Sequence, residues 1–266
     1  MPVELNHLDT QQDTGGPVAG GGIPLVVIHG LFGSADNWRS HIKAWQEHHR
    51  VIAVDLRNHG RSPHAAGMSY DEMAADVMAL LDRLGIERIH LLGHSMGGKV
   101  AISLARLAPA RVVSLIVADI APRAYGHDHD TVFAGLRRVV EGRPANRREA
   151  DELLAEHVQE RAVRLFLATN LERAEEGRLH LRLGLDEIQD DYEAVMGEPA
   201  GEGAYDGPTL VLRGANSRYV TDEMLPELRE VLPRARVVTL EAGHWLHAEQ
   251  PEAFRRAVDD FLAEQA

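Results

Sequence analysis

Gly93, His94, Ser95, Met96 and Gly97 form a G-x-S-x-G run. That spacing sets a serine hydroxyl on a sharp strand-to-helix turn, provided a strand precedes it and a helix follows. Both flanks comply. Residues 89–92 are a short apolar run, and residues 99–108 suit a helix that stops before Pro109. Ser95 is therefore the candidate nucleophile. So tight a turn leaves no room for side chains at 93 and 97, which accounts for the glycines. Met96 starts the helix, where a backbone N–H lacks an intrahelical partner and can face a developing oxyanion. A second donor is expected at Leu31, because His29-Gly30 turns the chain at the end of another apolar run. A base and an acid must accompany the serine. His244 follows Gly243 just past the last apolar run and is the candidate base, with His247 as its rival among 15 histidines. The loop after residues 209–212 offers Asn216 but no carboxylate before Asp222. An amide cannot stabilise an imidazolium, so Asn216 does not serve. Asp119 ends the apolar run 114–117 and is the favoured acid. Asp222 is the alternative, read as a first-turn acid that complements a helix dipole.

These groups must be held by a common frame. Runs at 25–28, 51–54, 89–92, 114–117, 209–212 and 236–240 are almost continuously apolar. Such strands belong to a parallel sheet covered on both faces, with helices in the intervening segments. In that arrangement ligands bind beyond the carboxyl ends of the strands, where all the candidate groups lie. The spacing predicts a helix over 70–84, with Ser69 and Glu72 as a capping box and Met73, Val77, Leu80, Leu81 and Leu84 on one face. The last helix starts near Pro251 and buries Phe254, Val258, Phe261 and Leu262. Thr221 is expected to cap a helix reaching 231. An antiparallel edge strand is expected over 3–8, followed by a Gly-rich turn over 15–22. From 123 to 206 the strand signal vanishes and charged helical patterns take over. Leu153, Leu154, His157 and Val158 suit one amphipathic helix, and Val163, Phe166 and Leu167 another. The chain thus divides into a core (1–122), a helical cap (123–206) and the rest of the core (207–266).

Composition narrows the function classes. Lys and Arg number 28 against 41 Asp and Glu, a formal net charge of −13. Long-range attraction to nucleic acid or to anionic membrane surfaces is not expected. The absence of cysteine removes disulfides, thiolate catalysis and zinc–sulfur sites. No basic segment leads into an apolar run at the start, and no run approaches a membrane span, so a cytoplasmic protein is expected. Its partner is expected to be a small molecule, and oligomeric state is left open. The cluster His127-Asp128-His129-Asp130 has metal-ligand residue types, but its alternating, polar setting fits a solvated hinge, and no metal is expected. The loop 55–63 carries Arg57, Asn58, His59 and Arg61 at a strand end. It reads either as a hydrogen-bonded scaffold or as a contact for an anionic group such as a coenzyme A phosphate. The candidate substrate contacts are His29, Phe32, Asn58, His94 and Trp245.

The runs H-G-L-F-G-S (29–34), D-L-R-N-H-G-R-S-P (55–63), G-H-S-M-G-G-K (93–99), D-I-A-P (119–122) and A-G-H-W-L-H-A-E (242–249) together resemble the α/β-hydrolases. Within them they are similar to the YbfF-like subgroup of small serine esterases and thioesterases. The resemblance spans nearly the whole chain and is weakest in the cap. It implies an α/β-hydrolase fold with an inserted helical cap, an acid after the strand that ends at 117, and hydrolysis of carboxylic esters or acyl-CoA thioesters without a cofactor. Other reactions of the same residues are C–C bond hydrolysis and cofactor-free perhydrolysis. A haloalkane dehalogenase would need an aspartate where Ser95 stands. A non-catalytic ligand-binding protein on the same scaffold is the reading from a different class.

Overall fold

In the computed structural model, which describes residues 1–11 and 22–265, seven strands form one sheet. Numbered along the chain, they lie in the order β1 (His7–Asp9), β3 (Val51–Val54), β2 (Leu25–Ile28), β4 (Ile89–His94), β5 (Val112–Ala118), β8 (Thr209–Gly214) and β9 (Ala235–Leu240). Only β1 runs antiparallel, against β3. The other five ladders are parallel, with β4 at the centre between β2 and β5. All six expected strands are present. Four extend beyond the apolar runs, because residues such as His94 and Gly214 still fit the ladder.

Alternate side chains of each strand enter two separate cores. On one face, Trp38, Ile42, Trp45, Phe254, Val258 and Phe261 pack on Leu25, Val27, Val51 and Ala53. On the other, Met73, Val77, Leu80, Val100 and Leu104 pack on Val26, Ile28, Ile52, Leu91 and Leu115. Every residue of β2, β3 and β4 is buried. Double-sided burial is what their unbroken apolar runs encode.

The helix Tyr70–Arg83 carries the expected box, with Ser69 Oγ accepting from Glu72 N–H and Glu72 accepting from Ser69 N–H. Other expectations shift. The edge strand is shorter than 3–8, because Val3 N–H bonds to Asp76 and Asn6 N–H to Ser62 instead of to a neighbouring strand. The Gly-rich turn over 15–22 lies outside the described residues, apart from Gly22. Thr221 makes no side-chain capping bond. A 3₁₀ turn, Asp222–Met224, comes first, and the helix Leu225–Val231 has Pro226, which has no N–H to cap, in its first turn.

Between β5 and β8 the chain forms five helices: Asp130–Gly142, Arg147–Ala155, Arg161–Leu167, Leu185–Asp190 and Tyr192–Met196. It also forms an antiparallel ribbon of β6 (Leu171–Arg173) and β7 (Leu179–Leu181) that the sequence reading missed. Three-residue strands containing Glu172, Arg173 and His180 leave too little apolar alternation to register. His157 and Val158 lie beyond the helix they were assigned to, although Val158 is still buried. Among the described residues, no helix is long and apolar enough to cross a membrane.

Candidate active site

Ser95 sits between β4 and the helix Met96–Leu107, which starts at Met96 as expected and takes in the residues before Lys99. Its backbone is at φ 53°, ψ −122°, a conformation that costs an L-residue about 1–3 kcal/mol unless its surroundings fix it. They do. Ser95 N–H donates to Ala118 C=O on β5, and Ser95 C=O accepts from Gly98 and Lys99 N–H. The flanking glycines are required by space. A Cβ on Gly97 would lie 2.3 Å from His29 O, and one on Gly93 would lie 2.1 Å from Gly97 O.

His244, one residue beyond Gly243 after β9, reaches Ser95. Its Nε2 is 3.0 Å from Ser95 Oγ, and its Nδ1 is 2.8 Å from Asp119 Oδ2. Asp119 follows the last residue of β5, also at positive φ (54°), and its side chain is fully buried. Gly214 N–H donates to Asp119 Oδ1 at 3.0 Å, and the Ser217 hydroxyl donates to Oδ2. The carboxylate is thus aimed by β8 and its loop. Asp222 stands elsewhere. Its side chain is 84 % exposed and pairs with Arg213 at 2.7 Å. His247 also lies apart, with its ring stacked on Trp38 at 4.5 Å. Burial lowers its pKa to about 3, so the ring is neutral and packed.

The loop carrying Leu31 is held by two neutral histidines. Gly33 N–H returns to Gly30 O, and Phe32 N–H donates to His59 Nε2 at 3.1 Å, with Phe32 at φ 62°. His59 Nδ1 donates to Arg57 O. His29 Nε2 accepts from Leu56 N–H, and its Nδ1 donates to Gly30 O. Burial depresses both pKa values, that of His59 to about 3. Leu31 N–H has no protein acceptor among the described residues, and neither has Met96 N–H.

A cavity of about 250 Å³ opens over Ser95, walled by Val132, Val163, Phe166 and Leu167 from segment 123–206 and by Leu31 and Trp245 from the sheet loops. Of the candidate substrate contacts, His29, Phe32, His94 and Trp245 border it. Asn58 does not. It is buried, bonded through its side chain to both the N–H and C=O neighbours at Ala65, and accepts Gly184 N–H on its carbonyl. Arg57 is likewise buried, in a two-pronged pair with Asp76 at 2.6 and 2.9 Å. Asn58, His59 and Arg57 in the loop 55–63 are thus engaged within the protein, with segment 123–206, the loop of Leu31 and the helix Tyr70–Arg83 respectively. His94 borders the cavity as a neutral ring, its pKa driven down by burial, and its Nε2–H donates to His244 O.

Several residues around the site escaped the sequence reading. Tyr219 stacks on His244, with ring centroids 4.1 Å apart. Ser217 and Tyr219 both lie in the loop after β8, whose position at a strand end was the available signal. Asn170 is buried and donates to Phe32 O at 2.8 Å, tying segment 123–206 to the loop of Leu31. Lys99, one turn after Ser95, is buried and donates to Gly197 O at 2.6 Å. Its burial lowers the ammonium pKa to about 7. Within the cluster 127–130 the other three side chains are exposed, but the His129 ring borders the cavity. No group of three or more metal-ligating side chains occurs among the described residues.

The α/β hydrolase fold family matches residues 23–251. The chain is 38% identical over 253 residues to an sn-1-specific diacylglycerol lipase ABHD11 of Danio rerio, covering 91% of this chain and 79% of the relative. It is 37% identical over 241 residues to the esterase YbfF of Escherichia coli, covering 90% and 92%. A solved marine microorganism esterase superimposes with a TM-score of 0.90 at 35% identity, covering 97% of this chain and 99% of that one.

Proposed function

The chain belongs to the α/β hydrolase fold family, and from that footing we propose that it is a serine hydrolase of carboxylic esters acting through an acyl-enzyme on Ser95. The observation that carries this reading is the hydrogen-bonded row Ser95–His244–Asp119 beside two amides without acceptors among the described residues. His244 Nε2 takes the Ser95 proton as Oγ attacks the acyl carbon. The oxyanion forms between Leu31 and Met96 N–H, a pair of donors worth about a hundred- to a thousandfold each in rate. Asp119, held by Gly214 and Ser217, fixes the imidazole tautomer and stabilises the imidazolium. His244 then protonates the leaving oxygen or sulfur. Water repeats the sequence on the acyl-serine and restores the enzyme.

Segment 123–206 acts in this reading as a cap that sets which acyl groups enter, and the segments before and after it form one catalytic core. The cavity wall holds no lysine, arginine or carboxylate among the described residues. It therefore favours uncharged esters of small to medium acyl groups. Thioesters are substrates only if their charged portions stay outside.

The test is a panel of p-nitrophenyl esters and acyl-CoAs of graded acyl length, given to the wild type and to Ser95→Ala. Short and medium p-nitrophenyl esters are expected to turn over, with at least about a thousandfold loss of kcat in the variant. A wild type that binds esters without cleaving them would mark a non-catalytic receptor. Undiminished turnover in Ser95→Ala would assign the chemistry to another group.

A further inference from the structure

We propose that His129 presents its Nε2–H to a substrate oxygen outside the reacting carbonyl, so that the site favours esters carrying a second, uncharged oxygen acceptor. The proposal rests on the serine-hydrolase reading above and specifies its substrate class.

His129 lies just before the helix Asp130–Gly142, at the entry to segment 123–206. Asp128 beside it pairs outward with Arg218. The His129 ring instead turns inward, edge-on to Phe32 with centroids 5.8 Å apart. It borders the main cavity and also a smaller one of about 30 Å³ that touches Ser95, Met96 and Lys99. Its proton can be placed by counting. The Tyr192 hydroxyl meets His129 Nδ1 and receives Asp128 N–H at 3.3 Å. Among the described residues no other acceptor lies within reach of that hydroxyl's own hydrogen, so the arrangement that leaves it bonded has Tyr192 donating to Nδ1. An imidazole that accepts at Nδ1 and is neutral carries its hydrogen on Nε2. Burial supports both halves of the count: it lowers His129 to about 4 and raises the Tyr192 phenol.

No protein group among the described residues accepts from Nε2. Of the other histidines on this wall, His29 bonds Gly30 and Leu56, His94 bonds the His244 carbonyl, and His244 bonds Ser95 and Asp119; His247 is stacked on Trp38, and its buried Nδ1 has no partner among the described residues. A neutral N–H at the wall, beside the nucleophile, suits an ether, hydroxyl or carbonyl oxygen of the ligand. The cap sets this tautomer, because Tyr192 belongs to the helix Tyr192–Met196.

Two pairs of isosteric esters read the contact: p-nitrophenyl methoxyacetate against butyrate for the acyl side, and 2-methoxyethyl acetate against butyl acetate for the leaving side. Each ratio of kcat/KM is compared between wild type and variant, which cancels the intrinsic reactivity of the ester. In His129→Phe the preference for the oxygen-bearing member should fall about 3- to 10-fold in at least one pair, the range of one neutral hydrogen bond. The affected pair identifies the side. His129→Gln, which keeps an N–H at about the same reach, should restore most of it. Ratios unchanged in both pairs overturn the proposal, as does nitrogen-15 NMR showing the His129 proton on Nδ1. Turnover that survives Ser95→Ala contradicts the serine reading itself, whereas unchanged ratios with an inactive Ser95→Ala contradict the His129 assignment alone.

Discussion

Ser95 and Asp119 occupy the same kind of place, one residue past the end of adjacent parallel strands, each at positive φ. That shared geometry lifts both side chains out of the sheet toward one imidazole. Their burial differs from that of the rival acid in a way that decides the chemistry. Asp119 is fully enclosed and accepts hydrogen bonds from Gly214 and Ser217, while Asp222 faces solvent. Asp119→Asn keeps the shape but removes the charge that stabilises an imidazolium. A loss of kcat of about a thousand- to ten-thousandfold is expected, with thermal stability little changed. Asp222→Asn breaks only an exposed pair and should alter kcat less than twofold. Steady-state kinetics of the two variants separate them, and a collapse confined to Asp222→Asn would move the acid to the loop after β8.

At the scale of elements, the strand–turn–helix around Ser95 is the feature with least tolerance. Its helix starts at Met96 with Gly97 lying against the carbonyls of Ile28 and His29, so the elbow is wedged onto the loop that carries Leu31. Gly97→Ala must push the two apart. A loss of at least about 1–3 kcal/mol in urea unfolding is expected, together with loss of ester turnover; a variant of unchanged stability would show that the contact is loose. This element was legible in the sequence because glycine spacing, an apolar strand and a helical period coincide at 89–108. The loop 55–63 was legible only as two alternatives. Nothing in its residue types says that His59 accepts the Phe32 amide, 27 positions away, since that pairing depends on β2 and β3 being neighbours. Segment 123–206 was readable as helical but not in detail, because its short strands β6 and β7 and its inward-turned His129 depend on contacts with distant residues.

The whole molecule is built around neutral buried histidines. Burial lowers the pKa of His41 and His90 to about 4 and of His59 and His247 to about 3. Unfolded, each binds a proton below about pH 6.5. The unfolded chain therefore holds more protons through the interval down to pH 3–4. Stability contributed by these groups is complete above about pH 6.5 and declines as pH falls, by up to about 1.4 kcal/mol per pH unit for each histidine. Urea midpoints at pH 7.5 and 5.5 should show a marked drop, and equal midpoints would mean that the rings are already protonated in the fold. The sheet, segment 123–206 and the histidine network all meet at one hydroxyl, so the most direct measurement is where a fluorophosphonate attaches. Intact-mass and peptide mapping should find one adduct, on Ser95, missing in Ser95→Ala and much slower to form in His244→Ala. An unlabelled wild type, or an adduct of equal yield on another residue, would contradict the assignment of Ser95 as an activated nucleophile.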